Sequence, residues 1–362
     1  MTSNLDRRRF LRNGAIGAGA LVGGSALLAA CGDDDKTTAS TGDSGSKTAD
    51  YGTLDFQCSW LKNAEFSGNY IADSKGYYKA AGFSKVNLIA GGPGVSQEQS
   101  LAAGKALACT SGPDITAPAI LKGIPLIAIG ALFQKNPFCF VSRADDPINT
   151  PAELKGKKIG VQDVNLPIWQ AFLKANNLDI ADMNTVPVQF NPEGLITKEV
   201  DAWFSFVTNE PNALKAKGQD VAVMMFADNG YPLCSQIYVA RTDTVKNDRD
   251  KLKAFLTAEI KGWRDSLKDY KLGADLAVNT YGKDLKLDKE ATEKESQSQN
   301  ELILTDDTKA NGIMTVTDEL VAETLKSLGF GGVDITADKL FDFSVLDEVY
   351  SDSPELKKDP TA

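Results

Sequence analysis

From Leu54 onward the chain alternates short apolar runs with stretches of helical spacing, and that alternation restricts the available folds more than any other feature. Leu54–Trp60 reads as a strand. Gly68–Ala81 reads as a helix with Tyr70, Ile71, Tyr77 and Tyr78 on or near one face, stopped by Gly82. Val86–Ala90 is the next strand. The loop Gly91-Gly92-Pro93-Gly94 then leads to Ser96, which suits the cap of a helix ending near Gly104. Leu107–Thr110 (strand), Pro113–Lys122 (helix) and Pro125–Leu132 (strand) follow. Repeated strand–helix–strand units imply a parallel sheet covered by helices on both faces.

The same pattern then starts again. Lys157–Val161 leads to a helix over Leu166–Asn176, and Thr185–Phe190 to a short helix near Glu193–Glu199. Ala202–Phe206 leads to Asn209–Lys217, and Val221–Phe226 closes the set. Two extended apolar runs, Phe138–Arg143 and Cys234–Arg241, lie at the boundaries between the sets. After Arg241 the chain is mostly helical, most clearly over Asp250–Leu267 and Lys289–Leu302. The chain has 362 residues, and single cores rarely grow past about 250–300 residues. The expectation is therefore an α/β protein of two lobes joined by two hinge crossings. The first lobe spans 52–137 plus 241–350, the second 138–240, and a tail covers 351–362. The late helices have no strands of their own to cover, so they are assigned back to the first lobe. A ligand in such a molecule sits between the carboxyl ends of the strands of both lobes.

The N-terminal segment reads as an address. Asp6-Arg7-Arg8-Arg9-Phe10-Leu11-Arg12 is a basic stretch with a twin-arginine pattern, and a Gly/Ala-rich run from Ala15 to Ala30 follows. That run is shorter than the roughly 18–20 strongly apolar residues a spanning helix needs. Residues 1–30 are therefore expected to be a signal peptide of the folded-export type. Leu28-Ala29-Ala30-Cys31 has the form of a lipobox, which makes Cys31 the expected lipidation site. Residues 31–51, rich in Asp, Thr, Ser and Gly, read as a flexible tether to an extracytoplasmic membrane face.

Composition narrows the chemistry. The sequence contains no His, which removes imidazole bases, Ser-His-Asp and Cys-His nucleophiles and His metal ligands. It contains no C-x-x-C pair, so no metal site is expected, and no cofactor motif stands out. The formal net charge of −10 argues against a nucleic-acid partner.

Polar and aromatic residues gather where strands give way to helices. The segment Trp60-Leu61-Lys62-Asn63-Ala64-Glu65-Phe66-Ser67-Gly68-Asn69-Tyr70 offers flat faces from Trp60, Phe66 and Tyr70, and directional hydrogen bonds from Asn63 and Glu65. That combination suits a planar nitrogen heterocycle. Tyr70, inside the helix, fits a core position equally well. The Gly91–Ser96 loop, with Gly94 and Ser96 nearest the helix start, either presents backbone N–H groups to a ligand or is a plain turn. It matches neither a Walker loop nor GxGxxG. Asn209 and Glu210, in Thr208-Asn209-Glu210-Pro211, occupy another junction. There Glu210 either accepts hydrogen bonds from an amino-substituted ring or serves helix-start electrostatics. Gln134 and Trp169 stand near similar junctions.

Several segments carry a family resemblance in their order along the chain. They are Tyr77-Tyr78-Lys79-Ala80-Ala81-Gly82-Phe83, Gly104-Lys105-Ala106, Ala131-Leu132-Phe133-Gln134-Lys135-Asn136-Pro137, Leu154-Lys155-Gly156-Lys157-Lys158-Ile159-Gly160-Val161 and Thr208-Asn209-Glu210-Pro211. Over roughly Leu54 to Trp263 the chain resembles solute-binding lipoproteins of ABC importers, in the group related to thiamin-pyrimidine synthase. The resemblance implies the type II periplasmic-binding fold, closure of two lobes around a ligand, and permease and ATPase subunits as partners. Pyrimidine-precursor binders of that group show Trp-x-x-Asn-x-x-His-x-Gly. Here Trp60, Asn63 and Gly68 match while Phe66 replaces the His, which looks more like members that bind riboflavin or other ligands. The synthases use a His and a Cys-rich motif, and this sequence has neither.

Four further cysteines, Cys58, Cys109, Cys139 and Cys234, are compatible with two disulfides in an oxidising compartment. Cys58–Cys109 would join neighbouring strand ends and Cys139–Cys234 would staple the crossings; four free buried thiols is the alternative. The expected function is that of a lipid-anchored binder, not an enzyme. It would capture a small planar heterocycle, a thiamin pyrimidine precursor or a riboflavin-like molecule. Small sulfonates or aromatic acids, and a pyrimidine synthase-like enzyme, are the competing readings.

Overall fold

The computed structural model describes residues 49–92 and 94–362. The expected signal segment 1–30, the lipidation site Cys31 and the tether up to residue 48 lie outside the described residues. The tether is shorter than expected at its far end. Tyr51 is already docked, its backbone N–H bonded to the Gly82 carbonyl at 2.8 Å and its ring 5.5 Å from that of Phe83.

Ten strands run in chain order: β1 (Gly52–Gln57), β2 (Phe83–Ile89), β3 (Ala108–Ser111), β4 (Leu126–Phe133), β5 (Phe138–Arg143), β6 (Lys158–Val161), β7 (Asn184–Pro187), β8 (Ala202–Phe206), β9 (Val221–Met225) and β10 (Ser235–Arg241). They form two five-stranded sheets, ordered β2-β1-β3-β10-β4 and β7-β6-β8-β5-β9. Each sheet separates two apolar clusters. In the first, Phe56 and Ile129 face the cluster built with the long helix Arg249–Lys268, while Cys109, Ala128 and Val239 face the other side. In the second, Phe140 and Phe204 face one side and Val141 and Trp203 the other. Strands buried on both faces read as continuous apolar runs, and β4 is buried at every position.

Two expectations need correction. The sheets are mixed, not parallel. β10 runs antiparallel to both β3 and β4, and β5 runs antiparallel to both β8 and β9. Moreover, the runs read as hinge crossings are these two strands, inserted into the middle of the sheets. The first sheet therefore takes the chain back at Ser235, before the expected boundary at 241. An apolar extended segment is equally suited to a linker and to a central strand, and backbone hydrogen bonding favours the strand.

The true crossings lie just outside these strands: Gln134–Pro137, and the passage between β9 and β10. Asn136 is fully buried between them. Its Nδ2 donates to the Tyr231 carbonyl at 2.9 Å and its Oδ1 accepts from the Phe138 N–H at 3.0 Å. The late helices do not stay on one side. Lys289–Ser298 packs against Glu210–Ala216 beside the second sheet, and Asp318–Phe330 packs against Leu166–Ala175. The segment expected as a tail is also docked: Leu356 is buried, and Arg264 donates to the Leu356 and Lys358 carbonyls.

Neither expected disulfide is present; Cys58, Cys109, Cys139 and Cys234 are free and buried. Cys58 lies in the cluster with Phe56, whereas Cys109, paired in register with Gln57, lies in the cluster on the opposite face. Side chains on opposite faces of a sheet cannot meet at disulfide geometry. Cys139 belongs to the second sheet's core and Cys234 to the first's, so these also sit in separate clusters.

Candidate functional site

A cavity of about 350 Å³ lies between the two sheets, lined from the first by Trp60, Glu65, Glu98, Asp114 and Gln236, and from the second by Phe138, Gln162, Phe204, Phe206, Asn209 and Glu210. Most of these residues stand just beyond strand carboxyl ends, where helix starts and loops converge.

The Trp60 corner is shaped by a single 3-10 turn, Ala64–Phe66. Asn63 caps that turn: its Oδ1 accepts from the Glu65 N–H at 3.1 Å, and its carbonyl accepts from the Tyr70 hydroxyl at 2.9 Å. The turn points Glu65 at the cavity and rotates Phe66 into the core. Glu65 Oε1 accepts from Ser59 Oγ at 3.1 Å, and Ser59 Oγ accepts in turn from Thr110 Oγ1 at 3.2 Å. Trp60 is half-buried, resting on the core and lining the cavity.

Opposite, Phe138, Phe204 and Phe206 form an aromatic wall. Phe138 stands 5.1 Å from Phe204 and 5.6 Å, edge-on, from Phe206. Glu210 opens the helix Glu210–Ala216 and accepts from the Phe206 N–H at 2.9 Å, which ties the wall to the carboxylate. Gln162 Nε2 donates to the Phe204 carbonyl at 3.1 Å.

The electrostatics are one-signed. Glu65, Glu98, Asp114 and Glu210 line the cavity, and no Lys or Arg is among the described residues that do. Burial pushes Glu65 up to about 7, reinforced by the charge of Glu210 and eased by Ser59 and Gln236. Burial likewise takes Glu210 and Asp114 up to about 7. Both Asp114 carboxylate oxygens are closed off from solvent and lack a close side-chain partner among the described residues, eased only by the nearby backbone N–H groups of Asp114 and Ile115. Gly112 lets that carboxylate lie close, since a Cβ there would stand 2.3 Å from Asp114 Oδ1. Glu98 is satisfied, accepting from Ser111 Oγ at 2.5 Å and Thr116 Oγ1 at 3.1 Å. Such a set recognises hydrogen-bond donors, polyols or cations, and works against anions.

Among the residues proposed from sequence, Trp60, Glu65, Ser96, Asn209 and Glu210 line this one cavity. The others need correction. Phe66 and Tyr70 are fully buried in the first core, where Tyr70 stacks on Tyr281 at 4.4 Å. Trp169 is fully buried in the second core, edge-on to Phe140 at 5.0 Å, with Nε1 donating to Thr185 Oγ1 at 3.2 Å. Asn63 serves as a cap. Gln134 folds back on the Ala131 carbonyl at 2.8 Å, in the hinge. Gly94 is exposed with φ +81°, outside the lining, and the neighbouring Val95 N–H is taken by the Gly92 carbonyl at 3.1 Å.

Phe138, Phe204, Phe206, Glu98, Asp114 and Gln236 are lining residues that sequence reading passed over. Phe206 ends a strand and was open to the same strand-end logic as Trp60. Phe138 begins a strand, and only its antiparallel direction brings it to the edge where its neighbours end. Among the described residues there is no cluster of three His, Cys, Asp or Glu arranged to hold a metal.

Residues 63–270 match the family described as NMT1/THI5 like. The riboflavin-binding protein RibY of Chloroflexus aurantiacus is 26% identical over 61% of this chain and 64% of its own length. A Haemophilus influenzae protein named for thiamine biosynthesis is 24% identical over 55% of this chain and 64% of its own length. The chain thus spans less than two thirds of these relatives. Among solved structures, the periplasmic aliphatic sulphonate binding protein SsuA of Escherichia coli superposes with a TM-score of 0.59 at 16% identity, covering 85% of this chain and 90% of that one. The two share the periplasmic-binding fold.

Proposed function

The chain belongs to the NMT1/THI5-like family, and on that premise we propose that it is the solute-binding component of an ABC importer, capturing a small planar nitrogen heterocycle outside the membrane. A thiamin pyrimidine precursor or a riboflavin-like molecule is the ligand class. The observation that carries this reading is the cavity itself: flat aromatic faces from both lobes, four carboxylates and no cationic side chain among the described lining residues. The indole of Trp60 and the ring of Phe206 sandwich the heterocycle, and Glu65 and Glu210 accept its N–H groups. The name and 26% identity of RibY support the same class.

Sulfonates and aromatic acids, the ligand class in the name of SsuA, fit this cavity poorly. An anion placed among buried carboxylates is destabilised unless a cation answers it. We read the protein as a binder without chemistry of its own. The sequence holds no His, and burial raises the thiols of Cys58, Cys109, Cys139 and Cys234 away from the thiolate form. Membrane attachment through a lipid on Cys31 completes the proposal; no helix among the described residues is long and apolar enough to cross a membrane. Delivery to permease and ATPase subunits requires only that the ligand bind one arrangement of the lobes better than another.

The test is native mass spectrometry of the protein as purified, followed by thermal shift against riboflavin, the hydroxymethyl aminopyrimidine of thiamin, and taurine. Stabilisation that grows with heterocycle concentration is expected, with none from taurine. Stabilisation by taurine alone, or turnover of any probe, would overturn the reading.

A further inference from the structure

Gln236 departs from its surroundings in three independent ways. It sits inside β10, where the register runs on through Ser235↔Phe133 and Ile237↔Ala131, yet its own φ is +48°. A side-chain-bearing residue is unfavourable in the left-handed region, and such outliers persist where the surrounding structure holds them in place. Gln236 is also 3% exposed, and its Nε2 makes no close hydrogen bond among the described residues, although the amide stands near enough to Glu65 to ease that carboxyl downward. Finally, the residue lines the cavity beside Glu65. A buried amide donor without a close partner is costly, and here it occurs at a residue that both lines the cavity and holds an unfavourable backbone conformation.

We propose that Gln236 is a specificity-determining residue of this site, paired with Glu65 to read one edge of the ligand. Glu65 Oε1 is engaged by Ser59, which leaves Oε2 to accept a ligand N–H. Gln236 Nε2 donates to the neighbouring acceptor. The pair therefore selects a planar heterocycle carrying an N–H beside a carbonyl oxygen or an unprotonated ring nitrogen, as in a lactam, imide or amidine-like edge. An isostere whose N–H is replaced by N-methyl leaves the buried Glu65 oxygen unanswered. One with donors at both positions faces the Gln236 amide donor to donor. This inference rests on the heterocycle reading above.

The experiment is calorimetric titration of wild type, Gln236→Glu and Gln236→Gly with riboflavin, the hydroxymethyl aminopyrimidine of thiamin, and taurine, alongside melting curves. Gln236→Glu keeps size and replaces the amide donor; Gln236→Gly removes the side chain and relieves the backbone. The expected result is heterocycle binding by wild type that is weaker by about tenfold or more in both variants, with Gln236→Gly melting no lower than wild type. A heterocycle that binds all three proteins equally overturns the role of Gln236 and leaves the proposed function standing. Binding of taurine alone, or of none of the three, overturns the heterocycle reading and this inference with it.

Discussion

Glu65 and Glu210, carried on different lobes, line one cavity closely enough that the charge of Glu210 helps raise the Glu65 pKa. Two like charges thus stand near each other in a place poorly served by water. On the proposed function, a donor-rich guest would relieve that repulsion and so favour the arrangement in which the two carboxylates are near.

Ligand-free protein is expected to lose stability as pH rises. Glu65, Asp114, Glu210 and Glu259 all have folded-state values pushed up to about 7, mainly by burial, from ordinary values of 4.5 or 3.8. Between the unfolded and folded values the native state holds more protons than the unfolded one. Stability is therefore greatest below about 4.5 for this set and falls as pH climbs through about 7. Melting temperature at constant ionic strength is expected to be higher at pH 5 than at pH 8. A flat profile would show that these carboxyls are better solvated than their burial implies.

Trp60→Ala is expected to weaken heterocycle binding by about tenfold or more, equivalent to about 1.4 kcal/mol. Because Trp60 is only half-buried, the melting temperature is expected to move little. Calorimetry against riboflavin or the aminopyrimidine measures the change, and unaltered affinity removes the indole from the ligand's surroundings.

Glu259 anchors the first lobe from behind the site. It is fully buried and accepts both Asn69 Nδ2 contacts, at 2.8 and 2.9 Å, together with the hydroxyls of Tyr78 at 2.5 Å and Tyr238 at 2.9 Å. Glu259→Leu strands these donors and is expected to cost about 3 kcal/mol or more. Glu259→Gln, which keeps one acceptor, is expected to cost less. Urea unfolding ranks the two, and equal losses would argue against the network.

Gly68→Ala is expected to destabilise by about 1–3 kcal/mol through overpacking. A Cβ at Gly68 would stand 2.3 Å from Trp263 Cδ2, and one at Gly262 would stand 2.2 Å from the Gly68 carbonyl oxygen. The helices Ser67–Ser74 and Arg249–Lys268 thus cross with backbone nearly touching. Unfolding midpoints of the Ala variants, singly and together, test the contact; unchanged midpoints mean that the helices shift apart freely.

The four body cysteines are expected to resist alkylation in the native state and to react fully after denaturation without reductant, since all are buried and free. Peptide mapping decides the matter, and a Cys58–Cys109 or Cys139–Cys234 peptide would restore the disulfide expectation.

The repeated strand–helix rhythm was readable because the central strands are continuous buried apolar runs and many helices begin at a recognisable junction. Direction was not readable. β5 and β10 have the composition of any central strand, and nothing local distinguishes a strand that runs against its neighbours from an extended linker. That ambiguity displaced the hinge and hid Phe138. At the site, Trp60, Glu65, Ser96, Asn209 and Glu210 were accessible because each follows a strand end. Phe66 and Trp169 were misplaced because burial depends on which way a short turn or helix face points, and composition does not record that. Asp114 and Gln236 escaped notice for a different reason: an unanswered polar atom becomes visible only once its neighbours are in place.

The buried Asn136 amide couples the two passages between lobes, one through its own backbone and the other through the Tyr231 carbonyl. The two passages are consequently fastened to each other by one side chain, so that any rearrangement of one has to carry the Asn136 amide, and with it the other.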